Sequence, residues 1–390
     1  MLAVAAGLSL LAPGAAPAQF VSDAEAPPPR PMPRPAVGPM AGVAAGQTAA
    51  LTPALIPATS PAAAIEAATF TGADLPPGQS PLTAKVQLLL DRSGISPGVV
   101  DGFRGAMSTS ALKAFQRREG LPMNGLLTRD VWDRLQPYAA APVMVDYTIT
   151  EADMADLVPD MPKDYALMAQ MRHLGYTSVA EKLGERFHMD DKFLRAINPG
   201  VDLVPGATIR VMAPAKPIRG TVTRILIDKA TRRVAAYDAA GKLVADYPAT
   251  IGSDATPSPS GEHVVRTVAV NPTYHYNPLI NRQQGANDKP LVLPPGPNGP
   301  VGTVWIDLSK PTYGIHGTPH PSQLFVNQSS GCVRLTNWDA QELARMVSPG
   351  TVVTFLDPGV SIADVMGTGL PPIVPELARA LDAVGATAKP

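Results

Sequence analysis

The sequence predicts a multidomain α+β protein: a small three-helix domain, then a segment of two helices and a strand, then a mostly β domain with one clear helix. Three observations carry this. The 390-residue length exceeds what one hydrophobic core ordinarily serves. The 44 prolines gather in particular segments, as in compact modules strung on Pro-rich connectors. Apolar periodicity is helical in the first half and alternates from Arg219 onward. A formal net charge of −1 gives no sign of a nucleic-acid partner.

The first 18 residues read as a secretory signal. An apolar run from Leu2 to Ala12 leads to a small-residue site at Ala16-Pro17-Ala18, although no Lys or Arg precedes the run. The run is too short to span a bilayer, and no cysteine directly follows the site, so an exported, periplasmic protein without a stable membrane anchor is expected. Residues 19–78 are rich in Ala and Pro ("APPPRPMPRPAVGPM"), a composition that buries little apolar surface, and they read as a disordered tether.

Ordered structure is expected over 79–138. Val86, Leu89 and Leu90 give a first helix, a turn passes through Asp101-Gly102 and Gly105, a second helix carries Leu112, Phe115 and Gln116, and a third ends at Trp132 and Leu135. Together the D-G, F-Q, G-L and W-x-x-L positions closely resemble the type 1 peptidoglycan-binding domain family, with Ser108 where that family often has threonine. The resemblance implies peptidoglycan as a binding partner. Over 165–214, helices around Val179–Leu183 and Phe193–Ile197 precede Asn198-Pro199-Gly200, a Pro205-Gly206 turn and a strand at Ala207–Met212. This resembles the βααβ LysM pattern and implies a glycan-binding segment; a spacer that only presents the next domain is the alternative.

From 218 to 357, alternating segments beginning with "RILIDKATRRVAAYD" are broken by turns at Asp228–Thr231, Ala240-Gly241 and "TPSPSG". "WDAQELARMV" reads as a helix capped by Asn337, and "GTVVTFLD" closes the domain as a last strand. Residues 358–390 form a tail with a helix expected at Pro375–Val384.

Cys332 is the single cysteine of the chain. Such a thiol can be a small buried hydrophobe, half of an intermolecular disulfide, or a nucleophile that needs a base nearby, since an ordinary thiol of pKa about 8.5 is only slightly ionised at neutral pH. Its surroundings point to the third use, although spacing alone leaves all three open. His316 ends the strand-like "YGIHG", sixteen residues earlier. Gly331 permits close substrate approach, and the amides near Gly331 and Cys332 can face a developing oxyanion. Ser329 and Ser330 offer hydroxyls to orient imidazole or substrate. Arg334 falls on the same side as Cys332 if the segment is a strand, and suits a substrate carboxylate or a thiolate.

"HGTPHP…SSGCVRLTNWDAQEL…GTVVTFL", with Pro257, Pro259 and Gly261 upstream, resembles the L,D-transpeptidase family with a YkuD-type catalytic domain. The family's HG followed by S-(H/S)-GC-x-R maps onto His316, Gly317, Ser329, Ser330, Gly331, Cys332 and Arg334. The resemblance implies a cysteine acyltransferase of peptidoglycan that needs no metal or organic cofactor. Cys332 would attack the carbonyl between the L- and D-centres of a stem tetrapeptide with His316 as base, D-alanine would leave, and an amine of a neighbouring stem would resolve the thioester into a 3–3 cross-link. It also implies a backbone carbonyl acceptor for the second nitrogen of His316, for which Gly317 is the candidate. Tyr274, Trp305 and Tyr313 are candidates to line the groove, as is His320, although strand aromatics often serve the core. Three rivals stand beside this reading: an L,D-carboxypeptidase that uses water, an enzyme joining a protein lysine to the wall, and a non-catalytic wall-binding scaffold. A zinc site on His316, His320 and Cys332 is disfavoured because Pro319 and Pro321 oppose the helix that would align the histidines.

Overall fold

A computed structural model of the chain describes residues 52–53, 60–252, 257–326, 329 and 331–368. The expected signal segment, most of the tether and the helix expected at 375–384 lie outside the described residues. Among the described residues no helix is long and apolar enough to cross a membrane.

The tether does not extend to residue 78. Strand β1 (Thr52–Pro53) pairs with a later strand, and helix α1 (Pro61–Ala67) buries Ala62 and Ile65. Ser60 caps α1 by accepting from the Ala63 amide at 3.1 Å, with Pro61 in the first turn, where its missing N–H costs nothing. The Glu66 carboxylate then accepts from the amides of Val143 and Met144 at 3.0 and 2.9 Å. An Ala/Pro-rich composition hid a well-capped helix.

Helices α2 (Pro81–Arg92), α3 (Ala106–Arg118) and α4 (Arg129–Leu135) form the expected trio. The D-G turn is held by Gln87, whose Oε1 accepts from the amides of Asp101 and Gly102. Ser108 takes the Gln87 side-chain amide at 3.0 Å and donates to the Phe103 carbonyl, so the serine is fully used. Next come β2 (Met144–Thr148), α5 (Glu151–Met154), α6 (Tyr165–Met168), α7 (Val179–Arg186), α8 (Asp191–Ile197) and β3 (Thr208–Met212). The first strand of the expected βααβ unit therefore lies about twenty residues before the expected boundary at 165, and β2 joins β1 and β3 in a three-stranded sheet. The Asn198-Pro199 turn is fastened to β3 by Asn198, which donates to the Arg210 carbonyl and accepts from the Arg210 amide. One apolar core runs from Ala62 to Met212, so the two N-terminal modules are fused rather than strung on a connector.

The remainder is built on an eight-stranded sheet of β4 (Arg224–Asp228), β5 (Arg233–Tyr237), β6 (Leu243–Pro248), β7 (Gly261–Val270), β10 (Val304–Leu308), β11 (Gly314–His316), β12 (Val333–Arg334) and β13 (Val352–Phe355). Between β7 and β10 an insertion carries the hairpin β8 (Tyr274–Tyr276) and β9 (Leu291–Leu293). The strand order is β12-β11-β10-β7-β13-β4-β5-β6, with β11–β12 and β13–β4 parallel. Helix α9 (Asn337–Ala344) covers β10 and β11, and α10 (Ile362–Thr368) returns Ile362 to the core, so the tail packs on the domain where it leaves it. The cap of α9 is Thr336, which accepts from the Asp339 amide; Asn337 is the first helical residue and fully buried.

The N-terminal unit docks on the sheet through buried polar groups. Arg233 Nε donates to Asp246 Oδ1 at 2.6 Å, Arg117 pairs with the other carboxylate oxygen, and Arg233 also reaches the Ser96 carbonyl at 3.0 Å. Nearby, Asp91 faces His188 at 3.0 Å, and the His188 ring stacks on Trp338. Burial tends to lower the His188 pKa, but the Asp91 carboxylate outweighs it and the net shift is upward. Burial pushes the Glu185 carboxyl up to about 8 and that of Asp339 up to about 7. The place of His188 in this junction depends on a contact made across more than ninety positions, which no local pattern signals.

Candidate active site

His316 sits at the end of β11 and Cys332 immediately before β12, and the two strands run side by side with His316 opposite Arg334. His316, Cys332 and Arg334 line one cleft of about 1000 Å³. The imidazole is buried, and its Nδ1 lies 2.7 Å from the Gly317 carbonyl. A carbonyl only accepts, so Nδ1 carries the proton and Nε2 keeps its lone pair. Burial, helped by the Arg334 charge, pushes the His316 pKa down to about 3, leaving a neutral imidazole at ordinary pH.

The thiol has a separate contact. Cys332 Sγ lies 3.7 Å from the carbonyl of Thr312, a β-branched residue held at φ +69°, a conformation that costs energy and requires its surroundings to enforce it. Burial raises the Cys332 pKa, partly opposed by a backbone hydrogen bond from Gly314 and by Arg334. With the imidazole neutral and burial disfavouring thiol ionisation, the site does not favour a resting thiolate–imidazolium pair. Alkylation of Cys332 by iodoacetamide should therefore keep accelerating with pH beyond the range in which an ordinary thiol of pKa about 8.5 ionises, because only thiolate reacts. A rate that levels off with a midpoint below about 7 would contradict this assignment.

The loop before the thiol is tied from several sides. Ser329 donates to the Cys332 carbonyl at 2.5 Å and accepts from the Gly331 amide at 3.1 Å. Ser329 thus braces the loop that carries Cys332, and the Gly331 amide, one of the two expected oxyanion donors, is already engaged. Ser330 lies outside the described residues. Gly331 has φ +108°, and an added Cβ would come 2.7 Å from the Tyr313 ring, so glycine is required for both backbone and space. Buried Ser258 donates to the Gly331 carbonyl at 2.7 Å, which binds the P-x-P-x-G turn to the loop.

Around His316 the packing is equally close. Trp305 pairs with His316 across β10 and β11, and their rings stack at 5.4 Å. Gly314 allows this, since a Cβ there would meet the indole at 2.6 Å. Gly317 leaves room for Asn337, whose Nδ2 donates to Glu185 at 2.7 Å and so joins the imidazole turn to α7. Tyr274, Trp305, Tyr313 and His320 all line the cleft, His320 at its exposed rim. Among the described residues no group of three or more His, Cys, Asp or Glu is placed to hold a metal ion.

Sequence reasoning missed Thr312, Ser258 and Tyr165, which also lines the cleft. The "TPSPSG" turn was a signal for Ser258; Thr312 and Tyr165 carry no local signature.

Two family models match the chain: "L,D-transpeptidase catalytic domain" over residues 222–355 and "Putative peptidoglycan binding domain" over 79–135. A Bacillus licheniformis protein named "Putative L,D-transpeptidase YkuD" is 32% identical over 179 residues, covering 45% of this chain and 92% of the relative. "Probable L,D-transpeptidase YbiS" of Escherichia coli is 30% identical over 189 residues, covering 47% of this chain and 61% of the relative. The crystal structure of an L,D-transpeptidase from Xylanimonas cellulosilytica aligns over 74% of this chain and 99% of its own at 14% identity, with a TM-score of 0.33, too low to bear on function. On the catalytic-domain match and the near full-length Bacillus relative, the chain belongs to the L,D-transpeptidase family.

Proposed function

We propose that the protein is a peptidoglycan L,D-transpeptidase that works through a thioester on Cys332. The observation that carries this reading is the juxtaposition of Cys332 with a neutral, buried His316 whose Nδ1–H is committed to the Gly317 carbonyl, both within one open cleft. A stem tetrapeptide enters the cleft with its L–D carbonyl against Sγ. His316 Nε2 takes the thiol proton as sulfur attacks, so the thiolate forms only as it is consumed. The Cys332 amide is the remaining backbone donor for the oxyanion. The tetrahedral intermediate collapses as His316 returns the proton to the leaving nitrogen, and D-alanine departs, leaving the acyl group on sulfur. An amine of a neighbouring stem, deprotonated by the same imidazole, then attacks the thioester, forms the 3–3 amide and releases the thiol. Arg334 supplies positive charge beside the reacting atoms.

The three-helix domain holds the enzyme on its insoluble substrate and raises the local concentration of stems. Action at the cell wall follows; export to the periplasm rests on the N-terminal segment. The βααβ segment, which shares its core with the three-helix domain, also braces the catalytic domain through the Asn337–Glu185 bond.

Product analysis tests the reaction class. Purified protein incubated with muropeptides should yield 3–3 dimers by mass spectrometry. Tripeptides alone would indicate an L,D-carboxypeptidase, and unchanged substrate would indicate a wall-binding scaffold.

A further inference from the structure

We propose that the active site is completed from outside the catalytic domain: Tyr165 binds the stem peptide, and residues 161–175 hold the 274–298 hairpin insertion where that peptide can be received. This rests on the transpeptidase reading above.

Tyr165 lies 57 residues before the matched catalytic domain (222 − 165), yet it lines the same cleft as Cys332, His316 and Arg334. Its ring meets Tyr274 edge-on at 6.0 Å and Tyr276 at 5.3 Å, so it continues the aromatic wall of the hairpin. Arg334 and Tyr276 both act electrostatically on its half-buried phenol, and Arg334 and Cys332 act on Tyr274. The two phenols therefore line the cleft that holds Cys332, His316 and Arg334. An aromatic face with a polar tip suits a peptide that is apolar at its alanines and polar along its backbone.

The attachment of the hairpin has its own core and its own hydrogen bonds. Met168 and Leu174 on one side and Tyr276 and Leu293 on the other form an apolar cluster separate from the main ones. Gln284 accepts from the Tyr165 amide at 3.2 Å and donates to the Lys163 carbonyl at 2.8 Å. Asn287 donates to the Asp164 carboxylate at 3.3 Å. Farther along, the Leu174 amide donates to the Pro295 carbonyl and the Asn298 amide to that of Leu174. Gly296 permits this approach, since a Cβ there would fall 2.1 Å from the Leu174 oxygen. Two short strands alone are marginal in water, so the hairpin depends on this support for a fixed position. Leu279 and Ile280, at its tip, are left 90% and 67% exposed.

The test separates binding from chemistry in the full-length protein. Tyr165→Ala should raise KM for the donor stem about tenfold while kcat stays within about threefold. Tyr165→Phe should restore most of the loss, and Gln284→Leu should raise KM in the same direction. Val204→Ser, at an exposed apolar position outside residues 161–175 and 274–298, should leave both constants unchanged. Should the alanine variant fail to fold, Tyr165→Leu, which keeps apolar bulk against Met168, carries the same readout. A folded Tyr165→Ala or Tyr165→Leu variant with unchanged KM, or one losing kcat at constant KM, would overturn the inference while wild-type turnover upheld the transpeptidase reading. Absence of wild-type turnover would overturn that reading and this inference with it.

Discussion

Replacing Cys332 with alanine is expected to lower stem transfer by at least about a thousandfold, roughly 4 kcal/mol of transition-state stabilisation, with the fold unchanged. The side chain is small, partly exposed and held by weak contacts to the backbone at Thr312 and Gly314, so little stability depends on it. His316→Ala should lose activity on a similar scale, and the double variant should be little worse than either single one, because the two groups act as a unit. Steady-state release of D-alanine measures all three. Additive losses would mean that His316 and Cys332 act in separate steps, against the proposed proton transfer.

The largest stability effect is expected at Asp246. Its carboxylate is fully buried between Arg233, itself 1% exposed, and Arg117 from the three-helix domain. Asp246→Ala leaves the Arg233 guanidinium buried without a counter-charge, which costs about 3–5 kcal/mol. A triple replacement of Arg117, Arg233 and Asp246 by apolar residues of similar volume should recover most of the loss, since desolvation offsets much of what a buried ion pair contributes. Urea unfolding curves measure both. A single-variant loss below about 1 kcal/mol would show that water or another group compensates Arg233.

What the sequence revealed, and what it hid, follows the range of the interactions involved. His316, Gly317, Gly331, Cys332 and Arg334 stand in two short runs, which local chemistry and the family resemblance together single out, and the structure brings both runs to one cleft. The helices and the alternating strands were legible from periodicity. The start of α1 carried a readable signal, Ser60-Pro61, that was outweighed by its Ala/Pro-rich surroundings. Asn337 was read as a cap because it begins a helical pattern, yet its amide is drawn inward by Glu185, 152 positions away. Likewise the part Ser329 plays in bracing its own loop depends on backbone groups that its side chain meets only once the loop is folded. The fusion of the N-terminal modules and the reach of Tyr165 into the cleft arise from apolar surfaces that look alike in sequence whichever partner they meet.

The most direct test of the central claim is the intact mass of the protein after brief exposure to a stem tetrapeptide with no acceptor amine present. The account predicts a covalent adduct equal to the tripeptide acyl group, mapped to Cys332, released by hydroxylamine and missing from Cys332→Ala. An adduct that persists in Cys332→Ala, or D-alanine release by the wild type with no adduct on Cys332, would contradict it.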